Sequence, residues 1–347
     1  MSTQKAVVVT EFGKAELVTD RPIPTLRDDY LLVKTVAVGL NPTDWKSIAR
    51  FAPAGVQVGC DFSGIVEAVG KGVKKQWKKG DRVCGFAHGS NQLQPEDGAF
   101  AEHIVVKGDV VIRLPENLTF QEGATLGVGI VTIGHALYKN LKLALPNEPT
   151  SDPAPILIYG GSTATGTLAI QFAKLSGYTV LAACSPHNFD LVRGLGADAV
   201  FNSRDPKAAA EIKAFTNDNL KLVFDCIGLE PSIKFCEEAI SSGGDYSHLL
   251  RTEFGREDVN HHYTLGYTVL GDELRFGDIV VPAKPEDRAH TESFIPIVET
   301  ILAEGKIKVH PPNVGKGGLR GVLDGLDALK NDKVSGEKLV YNVDETL

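Results

Sequence analysis

The chain has 347 residues, of which 43% are hydrophobic and 23% charged, which allows two domains with sizeable cores in an ordinary globular protein. A formal net charge of −8 and the lack of a long basic run argue against a general binder of nucleic acid or acidic membranes. No apolar stretch approaches the roughly 20 residues that span a bilayer, and the N-terminus lacks a signal-peptide pattern. The five cysteines are scattered along the chain, which favours reduced thiols over disulfides. A cytoplasmic protein is therefore predicted.

The first third of the chain is rich in short strand patterns separated by Gly, Pro, Asn and Asp. These segments are KAVVVT, YLLVKTVAVGL, CDFSGIVEAVG, DRVCGFAH and AEHIVVK. They predict an all-β, barrel-like unit. From about Gly123 the pattern changes to a helix, GATLGVGIVTIGHALYKNL, and then to a Pro-rich connector.

Beyond the connector, strand and helix patterns alternate. In order they are PILIY, TGTLAIQFAKLSG, TVLAAC, NFDLVRGLG, DAVF, AAAEIKAFT, LKLVFDC, SIKFCEEAI and DYSHLL. Such alternation predicts a doubly wound parallel sheet covered on both faces, an α/β fold. From about Lys306 short strands return around the amphipathic helix LRGVLDGLDALKN. The predicted layout is a β-rich domain over 1–126, completed by 306–347, with a cofactor domain over 127–305.

A glycine-rich turn follows the first strand of the alternating region. Gly160 and Gly161 end the strand, and Gly166 stands where close helix packing leaves no room for a side chain. The residues between the glycines are candidate phosphate ligands at a helix N-terminus: Ser162, Thr163, Ala164 and Thr165. The alternative is that Ser162 and Thr163 only cap the helix. The position between a strand and a helix favours dinucleotide binding.

The second strand of this region, TVLAAC, carries no acidic residue at its end, where an NAD-binding site places one on the ribose. Instead the chain reads Ser185, Pro186, His187 and Asn188, with Asp190 predicted in the next helix. Because no carboxylate repels a 2′-phosphate there, NADPH is the predicted cofactor. The alternative of a simple helix cap by Ser185 or Asn188 is compatible with this role, since the same N–H groups attract anions.

The order of motifs NPTDWK, GCDFSGIVEAVG, GDRVCGF, GAFAEH, GGSTAT and GEKLVYNV resembles the medium-chain dehydrogenase/reductase superfamily over essentially the whole chain. Within it, GGSTAT and LSGYTVLAACSPHNFDLVRGLGADAVF are similar to the fungal trans-acting enoyl reductases of polyketide biosynthesis. The resemblance implies a GroES-like catalytic domain, a Rossmann cofactor domain and an active site in the cleft between them. It also implies NADPH-dependent reduction of an enoyl thioester on a carrier protein, with a polyketide synthase as partner in trans.

The resemblance also assigns site residues. Lys46 is the catalytic candidate, which stabilises an enolate or helps deliver a proton. The further cofactor positions are Thr43, Asp44, Trp45, Ser203, Leu250, Arg251, Val334 and Ser335. The substrate positions are Gly127, Val128, Gly129, Ile130, Val131, Thr132, Ile133, Gly134, Thr268 and Gly271. For Lys46 the plain alternative is a solvated loop lysine, for Asp44 a turn residue, and for 127–134 simple packing.

Zinc dehydrogenases of the superfamily carry ligands where this chain has Asn41, Cys60 and a residue near Gly127. Cys60 and Asp61 alone cannot complete a catalytic site, which needs three protein ligands, and a metal-free enzyme is predicted. NPTDWK is expected in a loop, and so are His261 and His262 in the polar run REDVNHHYT. Leu265 to Gly271 is expected to form a strand beside the substrate, and charges at the end of GYTVLGDEL favour a monomer. A zinc-free quinone or alkenal reductase, and a non-catalytic NADPH-binding protein, remain alternatives.

Overall fold

The computed structural model describes residues 2–347. The strands, β1 to β17 in chain order, are Thr3–Glu11, Lys14–Pro22, Tyr30–Gly39, Asp61–Val69, Arg82–Phe86, His103–Lys107, Ile112–Arg113, Pro155–Tyr159, Thr179–Cys184, Ala199–Asn202, Leu222–Asp225, Asp245–His248, Asn260–Tyr263, Leu274–Phe276, Ile279–Val281, Pro312–Gly315 and Lys338–Asn342. The α-helices, α1 to α9, are Pro42–Arg50, Phe120–Gly123, Gly127–Ile133, Ala164–Leu175, Phe189–Gly194, Ala208–Phe215, Glu230–Ala239, Pro285–Ala303 and Gly318–Lys330. A π-helix, Gly134–Asn140, directly follows α3, and short 3₁₀ turns cover Pro186–Asn188, Gly266–Leu270 and Val343–Glu345. No helix within residues 2–347 is long and apolar enough to cross a bilayer.

The chain divides into two compact units. The first unit contains the residues up to Val131 together with Tyr267–Leu347, and the second unit is Thr132–Gly266. The predicted division instead put residues up to 305 into the cofactor domain. Residues 267–305 fall in the first unit because α8 makes its polar contacts there, as in the ion pair of Arg288 with Asp29 at 2.9 Å.

The first unit is built on a mostly antiparallel seven-stranded sheet. Its order is β16-β17-β3-β4-β5-β7, with β6 paired to β3, and β1 and β2 form a separate hairpin. The C-terminal strand β17 pairs with β3, so the tail of the chain joins the sheet of the first unit. A core of buried Val, Leu, Ile and Phe side chains fills the unit, with Phe62 and Phe100 among the largest fully buried residues.

The second unit is a six-stranded parallel sheet of order β10-β9-β8-β11-β12-β13. The order reverses at β8 and β11, which is where doubly wound sheets bind their ligands, beyond the carboxyl ends of the strands. The central strand PILIY is an unbroken apolar run because helices cover both faces of such a sheet. The predicted α/β fold class, with a GroES-like and a Rossmann part, is confirmed.

Three local predictions are wrong. NPTDWK, expected in a loop, begins helix α1, with Pro42 in its first turn. The run expected to form a strand near the substrate is the 3₁₀ turn Gly266–Leu270. His261 and His262, expected in a polar loop, lie in β13, the edge strand beside β12. The charged residues after Gly271 therefore do not lie on the edge strand of the parallel sheet. The monomeric state remains a prediction, but these charges no longer support it.

Candidate active site

The glycine-rich turn joins β8 to α4 as predicted. Thr163 caps α4: its hydroxyl accepts the Gly166 N–H at 3.0 Å and donates to the Gly160 carbonyl at 2.8 Å. That hydroxyl therefore closes the turn, and the capping alternative holds for Thr163. Ser162 and Thr165 are half-buried, and the N–H groups of Ala164 and Thr165 lie in the first helical turn, where no carbonyl of the helix can accept them. These groups are the ones free to bind an anion.

Gly166 packs against the start of the turn as the motif requires. A Cβ at this position would lie 2.3 Å from the Gly160 carbonyl oxygen and 2.8 Å from the Gly161 Cα. Only glycine lets helix and strand approach this closely. The backbone geometry thus fits the pyrophosphate of a dinucleotide.

The residues predicted for the adenosine phosphate meet at the ends of neighbouring strands. Ser185 follows β9, and Ser203 follows β10, which pairs with β9 in parallel. The Ser203 N–H donates to the Cys184 carbonyl at 3.1 Å, which fixes the two ends side by side. Pro186 and His187 are exposed, Asn188 is buried, and the first acid, Asp190, lies exposed in α5 as predicted.

A second loop of the same unit lies beyond β11 and β12. The Asp225 carboxylate is fully buried and accepts the N–H groups of Ile227 and Gly228 at 2.8 and 3.0 Å. It also accepts the hydroxyls of Ser232 and Tyr246 at 2.6 and 2.9 Å. Asp225 thereby fixes the loop after β11.

The predicted residues Leu250 and Arg251 lie beside this loop. A Cβ at Gly228 would lie 3.0 Å from the Leu250 nitrogen. The Leu250 carbonyl accepts His248 Nδ1 at 2.7 Å, and the Arg251 guanidinium lies over the Tyr263 ring. The structure therefore collects residues 160–166, 185–188, 203 and 250–251 at the carboxyl edge of one sheet.

In the first unit, helix α1 carries the predicted catalytic residue. Lys46 is half-buried, its ammonium lies 5.7 Å from the centre of the Trp45 ring, and no carboxylate of residues 2–347 forms an ion pair with it. Burial and the neighbouring Arg50 lower the pKa of Lys46, an effect that Asp332 partly opposes. A half-buried, unpaired cation fits a role in stabilising negative charge better than a solvated loop lysine does.

Asp44 on the same helix faces the interior. Its carboxylate is 1% exposed and accepts the Asn41 N–H at 2.7 Å, so it caps the helix and does not present itself to a cofactor. Oδ1, its other oxygen, has no hydrogen-bond partner of regular geometry within residues 2–347. Burial raises the pKa of Asp44 to about 7, and the nearby Asp61 adds to the shift.

Tyr267 was predicted only as part of a strand beside the substrate, and its contacts with α1 and Cys60 were not foreseen. Its hydroxyl lies 2.9 Å from Thr43 Oγ1 on α1 and 3.4 Å from the Cys60 sulfur. Its ring packs edge-on against Phe86 and Phe276 and lies 4.9 Å from the ring of His88. No local pattern marks this residue, because Thr43 and Tyr267 are 224 positions apart in the chain.

The positions of the superfamily zinc ligands do not fit a metal ion. Asp61 is fully buried, accepts Asn41 Nδ2 at 2.9 Å and the Val128 N–H at 2.5 Å, and is paired with the ammonium of Lys338. Burial raises the pKa of the Cys60 thiol well above its usual value, which disfavours the thiolate that binds zinc. A side chain at Gly127 would lie 2.1 Å from the Gly85 carbonyl oxygen. The Lys338 ammonium already neutralises the Asp61 carboxylate, and zinc independence stays a prediction.

The remaining predicted residues are largely buried or lie elsewhere in the first unit. In 127–134 only Val128 is partly exposed, so the packing alternative remains open for this helix. Thr268 is buried and its carbonyl accepts the Gly271 N–H at 3.0 Å. Val334 is half-buried and Ser335 exposed, between α9 and β17.

Comparison with known proteins identifies the family. The alcohol dehydrogenase GroES-like domain matches residues 27–116, and the family described as zinc-binding dehydrogenase matches residues 164–249. The chain is 55% identical over 295 residues to trans-enoyl reductase TOXD of Cochliobolus carbonum, an alignment that covers 85% of this chain and 99% of that protein. The chain belongs to the trans-enoyl reductases of the medium-chain dehydrogenase/reductase superfamily.

A second trans-enoyl reductase, resD of Aspergillus sclerotiorum, is 46% identical over 98% of this chain and 100% of its own length. The crystal structure of CurK enoyl reductase shares the fold with a TM-score of 0.77 at 18% identity, over 98% of this chain and 99% of that one. The predicted family and the predicted class, an oxidoreductase of the enoyl reductase type, are confirmed. Enoyl reductases of this superfamily use a nicotinamide cofactor, which accounts for the glycine-rich turn.

Proposed function

We propose that this trans-enoyl reductase uses NADPH to reduce the C=C bond of an α,β-unsaturated thioester carried by a polyketide synthase with which it acts in trans. The names of two relatives that align over most of their length support the reaction. The observation that carries the cofactor assignment is the site at the ends of β9 and β10, which offers Ser185, Asn188 and Ser203 and no carboxylate.

NADP and NAD differ only in the 2′-phosphate, so this small region decides between them. Replacing Ser185 by Asp places a negative charge at the end of β9. We expect Ser185→Asp to lower kcat/KM for NADPH at least tenfold, since a tenfold change corresponds to only about 1.4 kcal/mol, and to leave kcat/KM for NADH nearly unchanged. An equal loss with both cofactors would contradict the assignment.

NADPH, when bound, supplies the hydride. The role of Lys46 is to stabilise the negative charge that develops on the thioester oxygen as the double bond is reduced. Removing one preorganised donor of this kind lowers kcat by about 10²–10³. We expect this loss in Lys46→Met, and no loss in Lys330→Met, which removes an exposed lysine of α9.

The decisive experiment is a panel of NADPH-oxidation assays with crotonyl-pantetheine, free quinones and enones, each repeated with NADH and with a zinc chelator. Turnover of the thioester with NADPH, unaffected by the chelator, is the expected result. Reduction of quinones without any reduction of enoyl thioesters would refute the proposal and favour a quinone reductase. No turnover of any substrate would favour a protein that only binds NADPH.

The proposal also keeps the predicted cytoplasmic location and monomeric state. Gel filtration with light scattering measures the latter directly. A dimer would contradict it.

A further inference from the structure

An aromatic cluster in the first unit borders helix α1, from Thr43 near its start to Phe51, which directly follows it. The Thr43 hydroxyl lies 2.9 Å from that of Tyr267, and the Phe51 ring packs edge-on against Phe276 of β14 at 5.1 Å. Tyr267 and Phe276 are also in contact, with ring centres 5.4 Å apart. Because Lys46 lies between Thr43 and Phe51 in the chain, the cluster adjoins the helix that carries the proposed catalytic cation.

His88 lies against this cluster without a polar partner. Its ring centre is 4.9 Å from that of Tyr267 and 6.4 Å from that of Phe276, and the residue is 5% exposed. Neither ring nitrogen has a hydrogen-bond partner within residues 2–347. Burial lowers the pKa of His88 to about 3, so the ring is neutral and offers one donor and one acceptor. A buried polar group without a partner is costly, so this ring is suited to a polar ligand.

The β14–β15 hairpin continues the cluster with an open apolar surface. Phe276 and Ile279 are directly opposite each other in its antiparallel register, so both side chains lie on the same face of the hairpin. Phe276 is half-buried on the cluster, whereas Ile279 is 50% exposed. The adjacent Val280, 46% exposed, lies on the opposite face. The face that contacts the cluster therefore leaves apolar area uncovered next to Phe276.

Together these residues form one surface, made of Phe51, Phe276, Ile279 and His88. We propose that this surface binds the acyl chain of the enoyl thioester beyond the reacting double bond: its apolar part contacts methylene groups, and His88 forms a hydrogen bond with an oxygen on the chain. The inference rests on the proposed enoyl reduction and adds the substrate class, a long acyl chain with an oxygen substituent.

The chemistry of such a chain fits both parts of the surface. A chain built by repeated two-carbon extension has methylene groups, which bury apolar area, and can retain oxygens at alternate carbons, which satisfy a neutral imidazole. Water would satisfy His88 but would leave Ile279 uncovered. A purely apolar chain would cover Ile279 but would leave His88 unpaired. An oxygenated acyl chain meets both requirements.

The first test measures recognition of the chain oxygen. Its substrates are oct-2-enoyl-pantetheine and the same thioester with a hydroxyl at carbon 5 or carbon 7, where chain extension leaves oxygens. We expect wild type to prefer one hydroxylated substrate by about tenfold or more in kcat/KM, because a site built around a hydrogen bond discriminates against the analogue that lacks it. His88→Phe, which keeps an aromatic ring, should lose that preference. The matched control His103→Phe removes a histidine of β6 whose Nδ1 also lacks a partner within residues 2–347, and should keep it.

The second test measures contact with the methylene groups. The octenoyl chain has four more carbons than crotonyl, and each methylene group removed from water is worth about fourfold in affinity. We expect Ile279→Ser to lower the ratio of kcat/KM for the octenoyl to that for the crotonyl thioester by about fourfold or more. Val280→Ser is the matched control, because Val280 is similarly exposed on the opposite face, and it should leave the ratio unchanged.

The outcomes separate this inference from the proposed function. If wild type reduces crotonyl-pantetheine but prefers neither hydroxylated thioester, or if His88→Phe keeps the preference, the hydrogen bond is refuted while the proposed function stands. Equal ratios in Ile279→Ser and Val280→Ser would refute the apolar contact. If wild type reduces no enoyl thioester, the proposed function fails, and this inference fails with it.

Discussion

The buried ion pair of Lys338 and Asp61 gives the sharpest stability prediction. Lys338 in β17 is 3% exposed, and its ammonium is bonded to the Asp61 carboxylate and to Asn41 Oδ1 at 2.9 Å. Lys338→Met fills a similar volume but provides no donor. Asp61 then keeps only the Asn41 amide and the Val128 N–H as partners, and its charge is left unpaired in the core.

The expected magnitude follows from that geometry. Removing one member of a buried pair destabilises a protein by about 3–5 kcal/mol, because the other charge remains desolvated. In a domain of about 150–250 residues each kcal/mol shifts Tm by about 2–4 °C. Lys338→Met should therefore lower the Tm of the first unit by roughly 6–20 °C.

Thermal and urea unfolding followed by circular dichroism measure the effect. The matched control is Lys306→Met, which breaks the pair with Glu304, where both side chains are about half exposed; such surface pairs contribute less than about 1 kcal/mol. The double variant with Asp61→Asn should be more stable than the sum of the two single effects predicts. Equal losses in Lys338→Met and Lys306→Met would refute the reasoning.

Two further predictions concern the turn and Asp44. Gly166→Ala forces a Cβ into the Gly160 carbonyl, so we expect it to destabilise the protein by about 1–3 kcal/mol and to raise the Kd for NADPH at least tenfold, as measured by calorimetry. The control Gly194→Ala, whose Cβ meets nothing within 4 Å, should be neutral. Equal effects of the two substitutions would contradict the close-packing argument. Because the pKa of Asp44 is raised to about 7, the folded state binds more protons than the unfolded state between about pH 4 and 7. The free energy of unfolding therefore falls as the pH rises through that window and Asp44 loses its proton. In urea unfolding, the free energy of unfolding of Asp44→Asn should therefore compare more favourably with that of wild type at pH 8 than at pH 5. A difference between the two proteins that does not change with pH would show that Asp44 does not titrate in this range.

The parallel sheet could be predicted from the sequence because its strands carry an unmistakable local pattern. PILIY and TVLAAC are unbroken apolar runs, which occur where both faces of a strand are covered. The glycine-rich turn was predictable for the same reason: the glycine at 166 is required by contacts within a few residues of it. For these two features local interactions were sufficient, because the partners are near in sequence.

The predictions failed where neighbours are distant or signals conflict. The start of α1 had a recognisable signal, since Pro42 is in the first turn and Asn41 precedes it, but the family motif was interpreted as a loop. Helix α8 was missed, and Pro296 inside it interrupts the helical pattern. The contacts of Tyr267 could not be predicted from the sequence, because its partners Thr43 and Cys60 come from remote segments.

The polar core of the first unit supports the proposal that this enzyme needs no metal. A buried carboxylate needs a positive partner, and here Lys338, a residue of the chain itself, provides it to Asp61. That ammonium is 3% exposed and fully engaged by Asp61 and Asn41, so it cannot also polarise a substrate. In the proposed reaction, the charge that stabilises the substrate oxygen comes from a cation that is not already paired, and Lys46 on α1 is the candidate.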